Sequence, residues 1–294
     1  MKLSTFFLLT LIILLSCREL VTDEFPEYTP IPTVNSILLK DSTIKVQVSL
    51  AGKLDTNQLA LIDNAEVLLY VDGEYKETLI LFDKGMYSSS VVVEPLKTYR
   101  CDVNIPGYEL VSGSDLIPVP VTISDIIHID IAGKDEEGMN YPAIKFTFTN
   151  NPSEKQYFEV AIRLISYGYE SVASLKTITD PVLLNEGLPL ALFSNESIKG
   201  SSYTMTINYF TGSASSFNGG PMQTDLYPVI LEFRSVSQNY YKFVKQKYLY
   251  DLGRYPEFMA ASTTAFPLFS NINNGYGIFA GYCSVKSDTI YPEN

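Results

Sequence analysis

Thr43-Ile44-Lys45-Val46-Gln47-Val48-Ser49-Leu50 alternates polar and apolar residues at every step. A period of two sets Ile44, Val46, Val48 and Leu50 on one face of an extended chain, so the stretch predicts a strand with one face buried and the other in water. Ala65, Val67, Leu69 and Val71 repeat the pattern. Asp72-Gly73, a pair that accepts positive φ, then turns the chain into a hairpin with residues 74–81. Another strand ends at Val93 after the Gly85-Met86-Tyr87 turn. Tyr99, Cys101 and Val103 face inward on the next, with Arg100, Asp102 and Asn104 outward, before Pro106-Gly107 turns the chain again. Short strands at short intervals, with no helical period among them, predict an antiparallel β-sandwich over residues 33–118, of Ig-like or transthyretin-like type.

Pro118-Val119-Pro120 stiffens the chain and interrupts ladder bonding, which marks a boundary. Residues 119–294 are expected to form a second, fibronectin-like sandwich. Ile127, Ile129 and Ile131 alternate with His128 and Asp130, which puts His128 on the polar face. Ile144, Phe146 and Phe148, then Phe158, Val160, Ile162 and Leu164, obey the same rule, as do Tyr203, Met205, Ile207 and Tyr209, and Val229, Leu231 and Phe233. Residues 167–199 and 211–224 lack a period and read as flexible loops rather than binding elements. One short helix is expected at 237–250. There Tyr240, Tyr241, Phe243, Val244, Tyr248 and Leu249 share a face, and Ser237 can cap the first turn. The fold class is therefore all-β: two sandwich domains and one helix near the C-terminus.

The chain opens with Lys2 and an apolar run, Phe6 to Leu15, too short to cross a bilayer as a helix. Residues 1–16 read as a signal peptide. A small residue, Ser16, stands directly before Cys17, with Leu14 three places upstream of it, as in the bacterial lipoprotein box. Cys17 is thus the expected lipidation (palmitate) site and membrane anchor, and residues 17–32, with Pro26, Pro30 and Pro32, the tether. The chain carries 21 basic and 33 acidic side chains; removing residues 1–16 deletes only Lys2, so the mature net charge is 20 − 33 = −13. An acidic surface repels phosphate backbones, which argues against a nucleic-acid partner.

Chemistry is sparsely signalled. No nucleophile elbow, zinc-protease helix, Cys-x-x-Cys or phosphate loop is present. His128 is the single imidazole, without an identifiable nucleophile. Cys101 and Cys283 read as two lone buried thiols, with a bridge between them as the rarer alternative. Gly275-Tyr276-Gly277-Ile278-Phe279-Ala280-Gly281 has the wrong spacing and context for a dinucleotide fingerprint; its glycines suit a tight turn or close backbone approach before a last strand. Asp135-Glu136-Glu137-Gly138 lacks the alternation of a calcium loop and reads as a solvated turn. No catalytic, cofactor-binding or metal-ligating residue is expected, and the chain does not read as an enzyme.

The segment from Phe269 to Gly281 carries a resemblance, together with the lipobox, Asn64-Ala65-Glu66-Val67, Gly85-Met86-Tyr87, Ile117-Pro118-Val119-Pro120 and residues 151–158. With these the chain resembles a Bacteroidetes outer-membrane lipoprotein family defined as a domain of unknown function (DUF4249). Asn151 departs from the acidic residue expected there. The resemblance implies an outer-membrane lipoprotein of two β domains, often encoded beside TonB-dependent receptors, with no catalytic residue to transfer. The expected function is a binding or accessory module at the outer membrane, beside a TonB-dependent nutrient receptor. The alternative is a structural or adhesion protein of the envelope without a small ligand.

Overall fold

A computed structural model describes residues 29–52, 59–166, 168–216, 222–254 and 267–293. The signal peptide, Cys17 and the tether through residue 28 lie outside the described residues. The longest sheet has ten strands. Its main path runs β13 (Tyr169–Val172), β12 (Tyr157–Ser166), β19 (Val229–Val236), β21 (Tyr276–Lys286), β1 (Pro32–Leu39), β2 (Thr43–Leu50), β7 (Met86–Val92) and β6 (Ile80–Asp83). β15 (Leu192–Ser194) joins β12, and β3 (Ala60–Leu61) joins β2. A five-stranded sheet orders β20 (Ile272–Asn273), β9 (Val111–Leu116), β8 (Thr98–Asn104), β4 (Glu66–Val71) and β5 (Glu74–Thr78). A four-stranded sheet orders β10 (Ile123–Lys134), β11 (Asn140–Thr149), β16 (Ser202–Phe210) and β14 (Ser174–Leu175); β17 (Ala214–Ser215) and β18 (Gln223–Thr224) form a small hairpin.

Cross-strand register shows how the layers stack. Ser235 on β19 lies opposite both Cys283 on β21 and Phe158 on β12, and Phe233 lies opposite Val160. Residues directly opposite one another point to the same side of a sheet. Cys283 belongs to the core with Val46, Val67 and Tyr99, while Phe158 and Phe233 belong to the core with Phe146 and Tyr209. Both smaller sheets therefore pack on one face of the long sheet, side by side. The other face, around Ile278 and Ala280, is covered by α2 (Gln238–Arg254) through Tyr240, Tyr241 and Phe243.

The two cores share the long sheet. Ile272, Phe279 and Cys283 lie in the first core, where a linear division at residue 118 would assign them to the second. The cause is the ladder of β1 with β21, whose parallel register runs from Thr33 opposite Tyr276 to Leu39 opposite Tyr282. Gly277 makes that approach possible: its φ is +116°, and a Cβ there would sit 2.1 Å from Val34 O.

The expected helix exists and runs longer, to Arg254, with Tyr240 N–H donating to Ser237 Oγ at 3.1 Å. Two expectations need correction. Residues 168–199 contain three short strands and a helix, α1 (Pro181–Glu186), capped by Asp180 and closed by Gly187 at φ 73°. At six residues it is too short to show a period. The faces of β10 are also reversed: Ile127 and Ile131 are 54% and 64% exposed, while the His128 side chain is 3% exposed. Asp125 takes φ 50° at a register shift between Ser124 and Ile127. One extra residue exchanges every side chain beyond it between faces.

Candidate functional site

Where residues 117–119 cross from the five-stranded to the four-stranded sheet, they pass the start of β12, the end of β19 and the first turn of α2. A cleft of about 460 Å³ opens there. Its innermost charged group is Asp115. The alternation of β9 buries Val111, Gly113 and Asp115, so an acid occupies an inward position at the strand's end. Asp115 Oδ1 accepts from Asn239 Nδ2 at 3.0 Å and Oδ2 from Gly281 N–H at 3.1 Å. Burial pushes its carboxyl up to about 6, against the pull of hydrogen bonds from Ser237, the Leu116 and Gly281 amides and Asn239. A buried titratable group among convergent polar side chains in a cleft is a reasonable binding site.

The neighbouring groups are amides and hydroxyls. Gln238 Nε2 donates to Tyr157 Oη at 3.0 Å. The Tyr157 ring packs on Tyr241 with centroids 4.6 Å apart, and Lys155 Nζ lies 5.7 Å from its centre. The Lys155 ammonium is itself paired with Glu196. Ser235 lines the cleft, and its Oγ is buried without a hydrogen-bond partner among the described residues. Leu96 and Leu116 supply an exposed aliphatic wall.

Buried Asn195 shapes the rim. Its Nδ2 donates to Asn150 Oδ1, Asn151 O and Glu154 O at 2.9–3.0 Å, and its Oδ1 accepts from Gln156 N–H at 2.9 Å. Asn151 Oδ1 accepts from Ser153 N–H at 3.1 Å, so this position folds a turn. The closing motif is equally structural: Asn271 Nδ2 donates to Phe279 O at 2.7 Å and its Oδ1 accepts from Phe279 N–H at 2.9 Å.

The residues singled out in the sequence lie elsewhere. His128 is not on an exposed face: its Nδ1 pairs with Asp130 Oδ1 at 2.6 Å and its Nε2 with Tyr209 Oη at 2.7 Å. Tyr209 is wholly buried, and burial, with the charge of Asp130, raises its hydroxyl pKa. The trio ties β10 to β16. Cys101 and Cys283 are buried and unbridged; burial pushes their thiols up to about 12 and about 11. Cys283 Sγ donates to Pro118 O at 2.9 Å, at the crossing itself. Asp135 is pinned rather than solvated, taking Met139 N–H at 2.7 Å and Lys176 Nζ at 3.0 Å. Cys17 lies outside the described residues. Among the described residues, no cluster of His, Cys, Asp or Glu could hold a metal ion, and no helix is long and apolar enough to cross a membrane.

Sequence reading missed Asp115, Gln238 and Asn239. The period running Val111, Gly113, Asp115 was a usable signal for the first; nothing local marks the other two, which are brought in by the fold. No curated protein matches the chain. The family model described as Domain of unknown function (DUF4249) matches residues 18–288, and with nearly its whole length covered the chain belongs to that family.

Proposed function

We propose that this protein is a lipoprotein anchored through acylated Cys17, with its β-sandwich body forming a binding or accessory module at the outer membrane beside a TonB-dependent nutrient receptor. The observation that carries the placement is Leu14-Leu15-Ser16-Cys17 behind a short apolar run. Binding is favoured over chemistry by the makeup of the cleft. Its inner polar groups are amides, hydroxyls and a carboxylate that already bonds to Asn239 and Gly281, and the charged residues of its rim are Glu154 and a Lys155 paired with Glu196.

The test is metabolic labelling with a fatty-acid probe, followed by fractionation. The wild type takes the label and sediments with the outer membrane, and Cys17→Ser does neither. An unlabelled wild type, or a Cys17→Ser variant still in the membrane, overturns the placement. Co-purification from detergent-solubilised membranes tests the partner: recovery of a TonB-dependent receptor supports the accessory role, and its absence counts against it.

A further inference from the structure

The cleft beside Asp115 has a chemistry of its own, and its charges limit what it can hold. Asp115 is a buried carboxylate without a paired cation, which opposes an anionic guest. The first turn of the seventeen-residue α2 carries partial positive charge, which offsets part of the Asp115 charge, and Glu154, the other carboxylate of the lining, is exposed to solvent. Lys155 is neutralised by Glu196. An uncharged ligand leaves this internal balance of charge undisturbed.

Hydrogen-bonding capacity narrows the class. Gln238 and Asn239 each use one side-chain N–H, on Tyr157 and Asp115, which leaves each amide one N–H to donate and a carbonyl oxygen to accept. Their backbone N–H groups, in the first helical turn, have no intrahelical acceptor. Ser235 Oγ adds a buried polar atom of the lining that has no hydrogen-bond partner among the described residues. Paired donors and acceptors beside an aliphatic wall match a peptide backbone and its side chains. A pyranose is less well served: the Tyr157 ring is buried and already engaged by Tyr241 and Lys155, and Phe158 is wholly buried, so no ring face is presented for stacking.

We infer that the cleft takes an uncharged, extended peptide segment of a partner protein, its amides bonded to Gln238 and Asn239 and an aliphatic side chain resting on Leu96 and Leu116. This rests on the reading of the chain as a binding module, but not on its anchor; the labelling of Cys17 can fail while the cleft still binds, and the reverse.

The experiment pans the full chain, solubilised in detergent, against a phage library of random internal loops. Selected loops are then resynthesised with both ends blocked, and their affinity is measured by calorimetry. Enrichment of uncharged loops containing Leu, Ile or Val is expected, with affinity falling about tenfold or more in Gln238→Ala and in Leu116→Asp. Both positions are exposed, and an unchanged melting temperature in each variant shows that the fold is intact. Enrichment of acidic or basic loops, no enrichment, or affinity indifferent to both substitutions overturns the proposal. Maltotriose is the competing probe: stabilisation of the wild type by it, lost in Gln238→Ala, overturns the peptide assignment in favour of a saccharide.

Discussion

Asp115 Oδ1 accepts a hydrogen bond from Asn239 Nδ2 at 3.0 Å, across 124 positions of sequence, and so ties the end of β9 to the first turn of α2. The same carboxylate takes Gly281 N–H, so three elements from distant parts of the chain meet on one buried acid. Its negative charge also lies beside the positive end of the helix dipole, which stabilises it. The raised pKa shows that burial outweighs these contacts.

That balance predicts a pH dependence with a definite sign. The folded value is about 6 against 3.8 for the unfolded group, so the folded state holds the proton more tightly. Its stabilising contribution is complete below 3.8 and is lost as pH rises through about 6. A difference of roughly two units corresponds to roughly 3 kcal/mol. Urea denaturation of the wild type and Asp115→Asn, at intervals from pH 4 to pH 7, isolates the effect. The stability of wild type relative to variant should fall across that range; a flat or rising difference contradicts the assignment.

Asn195 gives a second prediction. Asn195→Ala removes all four of its side-chain hydrogen bonds and leaves the carbonyls of Asn151 and Glu154 and the amide of Gln156 without that partner. A cost of about 2–4 kcal/mol is expected, together with faster proteolysis at 151–156. Asn195→Asp should be no better, because it sets a carboxylate against carbonyl oxygens. Thermal melts and limited proteolysis check both variants.

Gly277 and Gly138 separate crowding from backbone conformation. Both have positive φ, +116° and +80°, but a Cβ at Gly138 meets nothing within 4 Å, whereas at Gly277 it meets Val34 O at 2.1 Å. Gly138→Ala should cost about 1–2 kcal/mol, the left-handed penalty alone. Gly277→Ala should cost more than about 4 kcal/mol, because it forces β1 and β21 apart. Equal melting temperatures in the two variants would remove the packing argument.

What the sequence could tell depends on whether a feature is local. The alternation at residues 43–50 places Ile44, Val46 and Val48 in the core, and the Asp72-Gly73 hairpin forms with φ 52° and 86°. Gly277 acts as read, allowing close backbone approach. β10 failed because its pattern was genuine but displaced: Asp125 at positive φ shifts the register, and no composition rule flags that. The parallel ladder of β1 with β21 joins opposite ends of the described chain, which no window of sequence can reveal. The cleft groups were invisible for the same reason. Asn239 and Gln238 acquire meaning only once α2 lies beside Asp115 and Tyr157.

Glu232 gives the pH prediction of opposite sign. Its side chain is 3% exposed, and it receives Arg163 Nε at 2.6 Å and Arg234 Nε and Nη2 at 3.0 Å, while Arg234 Nη1 reaches Glu159 at 2.6 Å. Burial disfavours its charge, but the hydrogen bonds and charges of Arg234 and Arg163 outweigh burial and hold the carboxyl below its usual value. Its stabilising contribution is therefore present above the unfolded value of 4.5 and is lost as pH falls through the lower folded one. Glu232→Ala takes from two largely buried guanidiniums the carboxylate they share, leaving Arg234 to Glu159 and Arg163 to Glu170 at 3.8 Å, and should cost about 3 kcal/mol at pH 7. Glu232→Gln keeps the shape and removes the charge, so the advantage of wild type over it should shrink steadily below pH 4.5. An advantage undiminished between pH 4.5 and pH 3 would mean that packing, rather than the ion pairs, holds β12 to β19 at this point.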